Sequence, residues 1–450
     1  MLMCGHSETD PGLDMFKDQR DLAMTVSDSR AAAIFDEAVE AVVRFQGDPV
    51  AILDCALEID GDFVLAHCLS AMMNTIGNAS SRLEAAHRNI GRAKAAAKHI
   101  LEREQLHLEA VEAWYGVHLD RAAAVYEQIL FDHPRDLMAV FASHWLDFYR
   151  GDALGRYGRM ARVLSAWDES VPGHHWLLGM FAFGLEEVGQ YRRAESCGRR
   201  AVEADSGDAW GVHAVAHVME MEGRLEEGAA WLEETRDGWA STNIKIHNWW
   251  HALLFRIDLG GSRQALTIYD EHVVDPERDD VEALIDRVSA LVRLSLLGTD
   301  IGARWQDLTP LWEPLITDSR YPFNDLHALL CFRLAGADAQ AEELLCAAQK
   351  NYDLAIPMMA TGLSVLTGIN AFCKGRNADA LEWLLPVFYE FYKIGGSHAQ
   401  RDLVQQIVVE AALRDQQWSV ARALLAERLE LRNTPPHAFT RQVQRRLKSL

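Results

Sequence analysis

Long apolar runs, a leader-like N-terminus and paired cysteines are all missing from this 450-residue sequence. No stretch approaches the 18 or so uninterrupted apolar residues typical of a membrane-spanning helix. The first residues have neither the positive charge nor the apolar core of a secretory signal. The seven cysteines are scattered without a C-x-x-C pair, which indicates reduced thiols rather than a disulfide framework. These absences predict a cytoplasmic protein.

Basic charge is scarce too. The chain has 44 Lys and Arg residues against 66 Asp and Glu residues, which gives a formal net charge of -22 at pH 7. Such a chain repels nucleic-acid phosphates and anionic lipid surfaces, because it offers no basic surface to release their counterions. We therefore expect neither nucleic acid nor a membrane among its partners.

The sequence does contain a repeat of helical hairpins. Residues 189–223 form one helix–turn–helix unit, and the phrase that follows Gly189 returns after Gly223, 34 residues later, which is the tetratricopeptide period. Similar turn marks recur along the whole chain. They are Gly47, Gly77, Gly116, Gly151, Gly189, Gly223, Gly260, Gly298, Gly336, Gly375 and, approximately, Gln417. The pattern predicts an all-α fold, a right-handed superhelical solenoid of about ten TPR-like helical hairpins.

The repeat divides the chain into three predicted regions. Residues 1–30 are expected to be a loosely ordered lead-in, residues 31–432 the TPR-like α-solenoid, and residues 433–450 a basic tail or a capping helix. Within the solenoid, Asp136 and Asp208 follow the ends of helices, and we expect their carboxylates to cap the next helix.

Several phrases go beyond what repeat packing requires. They include L-A-H (65–67), residues 107–114, G-M-F-A-F-G-L-E-E (179–187), W-G-V-H-A-V-A-H-V (210–218), W-W-H (249–251), F-N-D-L-H-A (323–328) and G-G-S-H-A-Q-R-D (395–402). In these phrases, and over nearly its whole length, the chain resembles the tetratricopeptide repeat protein 38 family. The resemblance implies a soluble superhelix of the bacterial branch of that family, and it leaves the function open.

Histidine is concentrated on the helices expected to line the concave wall, which carry ten of the 18 histidines. The sharpest pattern is His213-x-x-x-His217-x-x-Glu220, followed one repeat later by His247-x-x-x-His251. A spacing of four places two imidazoles on one helical face, so these four histidines are candidate ligands of a divalent metal. The other candidates for the groove are His67, His144, His175, Trp210, Trp250, Asn324, Asp325, His327, Arg401 and Asp402.

A simpler interpretation stands beside each candidate. Buried His and Trp side chains at helix contacts commonly serve as hydrogen-bonded packing groups, and this is the leading alternative for the histidines. Ser397 and Gln400 have the spacing of a capping box. Glu186 and Glu187 diverge by about 100° on a helix, so we expect one to face the groove and the other solvent.

The sequence predicts function only coarsely. Nucleophile-elbow, P-loop and dinucleotide-binding motifs are missing. Solenoids generally bind partners on their concave face, which favours a binding scaffold whose groove takes a peptide, a partner protein or a small ligand. The alternative is an enzyme, with or without a metal, that acts on a small molecule in the His-rich groove. The oligomeric state is left open.

Overall fold

The computed structural model describes residues 15–76, 80–278, 280–432 and 434–449. Within these ranges the chain is almost entirely helical, as predicted. The exception is an antiparallel hairpin of β1 (Met15–Lys17) and β2 (Ala23–Thr25), in which Phe16 lies opposite Met24. No helix of the described ranges is both long and apolar enough to cross a bilayer.

The helices follow one another in antiparallel pairs. The first ten are α1 (Ser29–Val43), α2 (Pro49–Ile59), α3 (Val64–Ile76), α4 (Ser80–Ala96), α5 (Glu102–Tyr115), α6 (Leu119–Asp132), α7 (Leu137–Arg150), α8 (Ala153–Val163), α9 (His174–Glu187) and α10 (Tyr191–Ala204). The next seven are α11 (Ala209–Met221), α12 (Leu225–Glu234), α13 (Arg236–Trp239), α14 (Lys245–Asp258), α15 (Ser262–Ile268), α16 (Val281–Leu296) and α17 (Arg304–Trp312).

The remaining helices complete the solenoid. They are α18 (Pro322–Ala335), α19 (Asp338–Asn351), α20 (Pro357–Cys373), α21 (Asn377–Leu384), α22 (His398–Arg414), α23 (Trp418–Arg432) and α24 (Ala438–Lys448). Single-turn extensions follow α8, α15 and α17, and a longer 3-10 segment, Leu385–Ile394, follows α21. The pairs from α1–α2 to α22–α23 are the predicted hairpins.

The turns inside the hairpins depend on left-handed backbone conformations. Eight of the predicted turn glycines have a positive φ, for example Gly151 at 63° and Gly189 at 75°. At two predicted marks the left-handed residue is instead a neighbour, Val117 (φ 61°) beside Gly116 and Gln416 (φ 58°) beside Gln417. The mark at residue 77 lies outside the described residues.

Helix caps and close helix contacts agree with the sequence analysis. Asp136 accepts a hydrogen bond from the backbone N of Ala139 at 2.9 Å, and Asp208 accepts one from Gly211 at 2.8 Å, so both predicted N-caps are confirmed. The Ser397–Gln400 capping box is present at the start of α22. Ala194 is fully buried in α10.

The superhelix returns on itself, so that repeats far apart in sequence touch. The indole of Trp114 donates a hydrogen bond to the Tyr321 hydroxyl at 3.2 Å. The backbone N of Asn243 donates to the Phe45 carbonyl at 2.6 Å, and the backbone N of His398 donates to the Glu187 carboxylate at 2.9 Å. We call these long-range contacts the closure. Because of the closure, Gln400 of α22 lines the same concave pocket as residues of the earlier repeats.

Both ends of the described chain pack onto the solenoid. The Arg20 guanidinium forms a buried ion pair with Asp36 of α1 at 2.9 Å. The β1–β2 hairpin thus packs next to α1, and the division of the chain into a lead-in, a solenoid and a tail stays a prediction. At the other end, α24 buries Phe439 and Val443.

Candidate functional site

Four histidines from two adjacent inner helices meet at one point in the interior. His213 and His217 come from α11, and His247 and His251 come from α14. One ring nitrogen of each lies within 4.8 Å of the corresponding atoms of the other three. The Nε2 atoms of His213 and His247 are 3.1 Å apart. We call this group the histidine cluster.

Small residues bring α11 close enough to its neighbours to place its histidines there. A Cβ at Gly211 would stand 2.8 Å from the carbonyl oxygen of Gly198, and a Cβ at Gly198 would stand 3.0 Å from the carbonyl oxygen of Gly211. Real Cβ atoms rarely approach a carbonyl this closely, so both positions need glycine for α10 and α11 to pack at this distance. The spacing of four residues then directs both α11 imidazoles to one face.

Carboxylates stand behind three of the four imidazoles. The Nδ1 atom of His247 lies 2.9 Å from Asp286, and the Nδ1 atom of His251 lies 3.1 Å from Glu220. The Nδ1 atom of His217 lies 3.6 Å from Glu186. A carboxylate that accepts from Nδ1–H fixes the tautomer and leaves the Nε2 lone pair for a metal.

Burial keeps three of the four imidazoles neutral. It lowers the pKa of His213, His217 and His251 well below the usual value, and the neighbouring histidines add to the effect. Burial also raises the pKa of Glu220 to about 7 and raises that of Asp286. Neutral imidazole is the form of histidine that coordinates metals.

The distances suit a tetrahedral divalent ion. Zn–N bonds of 2.0–2.1 Å place ligand nitrogens about 3.3 Å apart, so the 3.1 Å between His213 and His247 already approximates one edge. The separations reach up to 4.8 Å, about 1.5 Å more than the edge of such a tetrahedron, so the four ligand atoms have to move closer together to share an ion.

Packing alone does not complete the hydrogen bonding of the cluster. Within the described part of the chain, His217 has no hydrogen-bond partner on either ring nitrogen, and His251 has none on Nε2. Each is fully buried. Leaving a buried polar group unpaired costs about 1–3 kcal/mol, and a bound cation would satisfy one ring nitrogen of each of these two histidines.

A cavity of about 440 Å³ opens on one side of the cluster. His213 and His247 line it, whereas His217 and His251 lie behind them. Eight of the other residues that line it are aromatic. The aromatic residues are Phe45, Phe141, Trp145, Phe148, Tyr149, Phe183, Trp210 and Phe323.

Several other predicted residues belong to this region. His144, Trp210 and Asn324 line the cavity. Trp250 stacks on His247 with ring centroids 5.2 Å apart, and the Arg293 guanidinium of α16 lies 5.4 Å from the centroid of the Trp250 ring.

The structure places His67 and His175 outside the cavity. Both ring nitrogens of His67 are in hydrogen bonds, Nδ1 with the Asn89 side chain and Nε2 with the Gly61 carbonyl, each at 2.9 Å. His175 packs edge-on against Trp176 and lies 3.8 Å from Asp208.

The candidates from the later repeats also serve other contacts. Asp325 accepts hydrogen bonds from Ser319 at 2.7 Å and Tyr352 at 2.5 Å. The Nδ1 of His327 donates to its own helix at 2.8 Å, and burial lowers the pKa of this imidazole to about 4. Neither Asp325 nor His327 is part of the histidine cluster.

Arg401 and Asp402 are held by buried ion pairs. Arg401 lies 3.5 Å from Glu187, and it lines a second cavity of about 860 Å³. Asp402 pairs with Arg428 and Arg432, which hold its pKa well below the usual range against the effect of burial. Glu186 and Glu187 are both buried, so the expectation that one of them faces solvent is wrong.

Two carboxylates at the cluster were not among the predicted site residues. Asp286 lies on α16, the inner helix one repeat beyond His247, and Glu186 lies on α9, one repeat before His217. The signal was present in the repeat itself, because equivalent inner helices of adjacent repeats are in contact. An acidic residue on the next inner helix was therefore a candidate partner of each histidine.

Comparisons with known proteins found distant likenesses among solved structures. No family model matches the chain. Among solved structures, a human IFIT1 dimer with m7Gppp-AAAA aligns over 95% of both chains at 14% identity and a TM-score of 0.39. Naa15/Naa10 bound to HypK-THB aligns over 93% of this chain and 65% of that one at 12% identity and a TM-score of 0.25. At these scores the likenesses carry no argument about ligands or partners.

Proposed function

We propose that this protein is a helical scaffold that binds a small molecule in its central cavity, with a divalent transition metal held by the histidine cluster at one end. The observation that carries the proposal is the set of four converging imidazoles, three of them backed by carboxylates on Nδ1. Nitrogen-only ligand sets are typical of zinc and its neighbours in the first transition series.

The closure favours a small molecule over a peptide. A cavity of about 440 Å³ lies within the range of pockets that bind small ligands, and its wall comes from helices at both ends of the described chain. A peptide groove needs an open channel along several repeats, whereas here Gln400 of α22 lines the same pocket as residues of the earlier repeats. Copurification of a peptide with the protein would reverse this choice.

The metal is tested with protein purified without a metal-affinity tag. We expect elemental analysis to find one divalent ion per chain, and the double variant His213→Ala/His247→Ala to have lost it. His327→Ala is the matched control, because His327 is equally buried on an inner helix outside the cluster. That variant should lose stability but retain the metal. Wild-type protein that takes up no stoichiometric Zn²⁺, Co²⁺ or Ni²⁺ would refute the metal site.

A second measurement isolates the carboxylate contact. Asp286→Asn removes the negative acceptor behind His247 while keeping the side-chain shape, and we expect metal affinity to fall about 10- to 100-fold. Asp325→Asn is the control, since Asp325 is also a buried carboxylate but bonds to Ser319 and Tyr352. Equal metal affinity in Asp286→Asn and wild type would mean that the His247–Asp286 contact serves packing only.

A second candidate function is a metal-dependent enzyme acting on a small molecule. One observation favours it: His213 and His247 line the cavity, so a bound ion would face the cavity on that side. Catalytic zinc needs an exchangeable position, whereas four imidazoles complete a tetrahedron. In protein loaded with Co²⁺, a visible spectrum that changes on addition of azide would indicate an exchangeable position and support the enzyme. An unchanged spectrum would support binding.

We also propose a family and a cellular location for the protein. The phrases at 179–187, 210–218 and 395–402 support membership of the tetratricopeptide repeat protein 38 family, and the scattered cysteines support a cytoplasmic location. An alignment of that family in which the positions of the four cluster histidines vary freely would contradict a shared metal site. Fractionation of cells that express the protein tests the location.

A further inference from the structure

His213 differs from the other three members of the histidine cluster in what lies behind its ring. The Nδ1 atoms of His217, His247 and His251 each face a carboxylate, at 3.6, 2.9 and 3.1 Å respectively. The Nδ1 atom of His213 is buried and, in the described part of the chain, has no hydrogen-bond partner. The four rings are therefore not equivalent as metal ligands.

The position of its proton makes His213 the poorest ligand of the four. The Nδ1 atom of His247 donates to Asp286 at 2.9 Å, so the Nε2 atom of His247 is an acceptor. That acceptor lies 3.1 Å from the Nε2 atom of His213, which therefore carries the proton of this contact. If His213 bound an ion through Nε2, the proton would move to its Nδ1 atom, where no described residue accepts it. A buried donor without an acceptor weakens the binding of the ion.

His213 also lies on the cavity side of the cluster. Of the four histidines, His213 and His247 line the cavity of about 440 Å³. The centroid of the His213 ring is 4.4 Å from that of His217 and 5.2 Å from that of His251. Counting only the described residues, His213 is thus the one member of the cluster that lines the cavity without a carboxylate behind its ring. Loss of this ring would leave a space that adjoins both the cavity and the other imidazoles.

We propose that His213 is a displaceable ligand of the metal, and that a small molecule in the cavity takes its position. The other three histidines of the cluster hold the ion permanently. The proposed function supplies the metal on which this rests. Three imidazoles with one exchangeable position are typical of catalytic zinc, whereas four fixed protein ligands are typical of structural zinc. The aromatic residues that line the cavity favour a ligand with an apolar body and one metal-coordinating group.

The metal affinities of two alanine variants test the difference between the rings. His213→Ala should retain one Zn²⁺ per chain, with an affinity lowered by less than about 10-fold, because it removes a ligand that has no carboxylate behind it. His251→Ala is the matched control, since His251 is also buried in the cluster but faces Glu220 and does not line the cavity. It should lower the affinity by about 100-fold or more. Equal losses in the two variants would overturn the inference.

Added ligands show whether the vacated position opens on the cavity. Each variant is titrated with imidazole and with 4-phenylimidazole in the presence of Co²⁺, and the visible spectrum reports coordination of the ion. We expect His213→Ala to bind both compounds, and 4-phenylimidazole at least about 10-fold more tightly because its phenyl ring enters the cavity. His251→Ala should gain neither metal nor a spectral change from either compound. If His213→Ala excludes 4-phenylimidazole, its vacated position does not open on the cavity and the inference is wrong.

The wild type tests the displacement without any substitution. In wild-type protein loaded with Co²⁺, 4-phenylimidazole should change the visible spectrum, at higher concentration than in His213→Ala because it competes with the His213 ring. A compound of the same shape without a coordinating nitrogen, 3-phenylpyrrole, should leave the spectrum unchanged. A wild-type spectrum that 4-phenylimidazole does not alter would make His213 a permanent ligand.

The same samples separate this inference from the metal proposal. Wild-type protein that takes up no stoichiometric metal refutes both. Wild-type protein that binds one ion, but loses it equally in His213→Ala and His251→Ala, overturns the displaceable ligand and leaves the metal site standing.

Discussion

Replacing Gly151 by alanine should open the closure, because this glycine sits where two distant repeats touch. Gly151 ends α7 with φ 63° and ψ 23°, and the 3-10 segment Leu385–Ile394 passes directly over it. A Cβ at this position would overlap the Tyr392 carbonyl oxygen and stand 2.7 Å from its carbonyl carbon. The obstacle is backbone, so no side-chain rotation relieves it.

The expected loss of stability in Gly151→Ala is the sum of two contributions. An alanine in the left-handed region costs about 1–2 kcal/mol, and overpacking against fixed atoms costs about a further 1–3 kcal/mol. Gly189 provides the control. Its φ is 75°, and in the described structure a Cβ there meets nothing within 4 Å. Gly189→Ala should therefore lose stability only through the left-handed backbone conformation.

The assay is urea unfolding of both variants and the wild type, with tryptophan fluorescence as the signal of unfolding. We expect Gly151→Ala to be less stable than Gly189→Ala by about 1–3 kcal/mol. Because α7 contributes His144 and Trp145 to the cavity wall, Gly151→Ala should also weaken metal and ligand binding. Equal losses of stability in the two variants would refute the idea that the Gly151–Tyr392 contact holds the closure.

Three further predictions concern the packing around the site. Burial raises the pKa of Asp325 to about 6 from an unfolded value of about 3.9, so the folded state holds an extra proton between these pH values and stability from this group falls as pH rises. Asp325→Asn keeps an acceptor for Tyr352 and should be more stable than wild type by about 1–3 kcal/mol at pH 7.5 and equal at pH 4, as checked by denaturant titration at both pH values. Ala194→Leu should overpack α10 and lower stability by about 1–3 kcal/mol, and an unchanged thermal melt would contradict the packing described for it. Arg428→Met should cost about 3 kcal/mol by leaving Asp402 with one cation fewer, and a double variant that also replaces Asp402 by Leu should recover part of the loss.

The repeat made the hairpins predictable from sequence, because a turn glycine and a helix-capping aspartate are local requirements. Asp136 and Asp208 cap the helices that the sequence predicted. The expectation that glycine occupies the left-handed turn position was wrong at Val117 and Gln416, which adopt positive φ although neither is glycine. At these turns the contacts of the flanking helices outweigh the backbone preference.

The site was only partly predictable, since it depends on which helices face one another. The spacing of four residues grouped His213 with His217 and His247 with His251, and the repeat made their two helices neighbours. The contact between His247 and Asp286 depends on the rotation of α16 about its axis, which no local pattern determines. The cavity itself depends on the closure.

The closure also restricts changes in the number of repeats. In an open array each repeat contacts only its neighbours, so repeats can be added or lost at little cost and the ends can fray independently. Here Trp114 contacts Tyr321, 207 residues later, and Glu187 contacts His398, 211 residues later, so repeats far apart in sequence hold one another in place. Unfolding should therefore be a single cooperative transition, with calorimetric and van't Hoff enthalpies in agreement. A chain that gained or lost one hairpin could not close at the same residues, and such a duplication or deletion would remove the cavity.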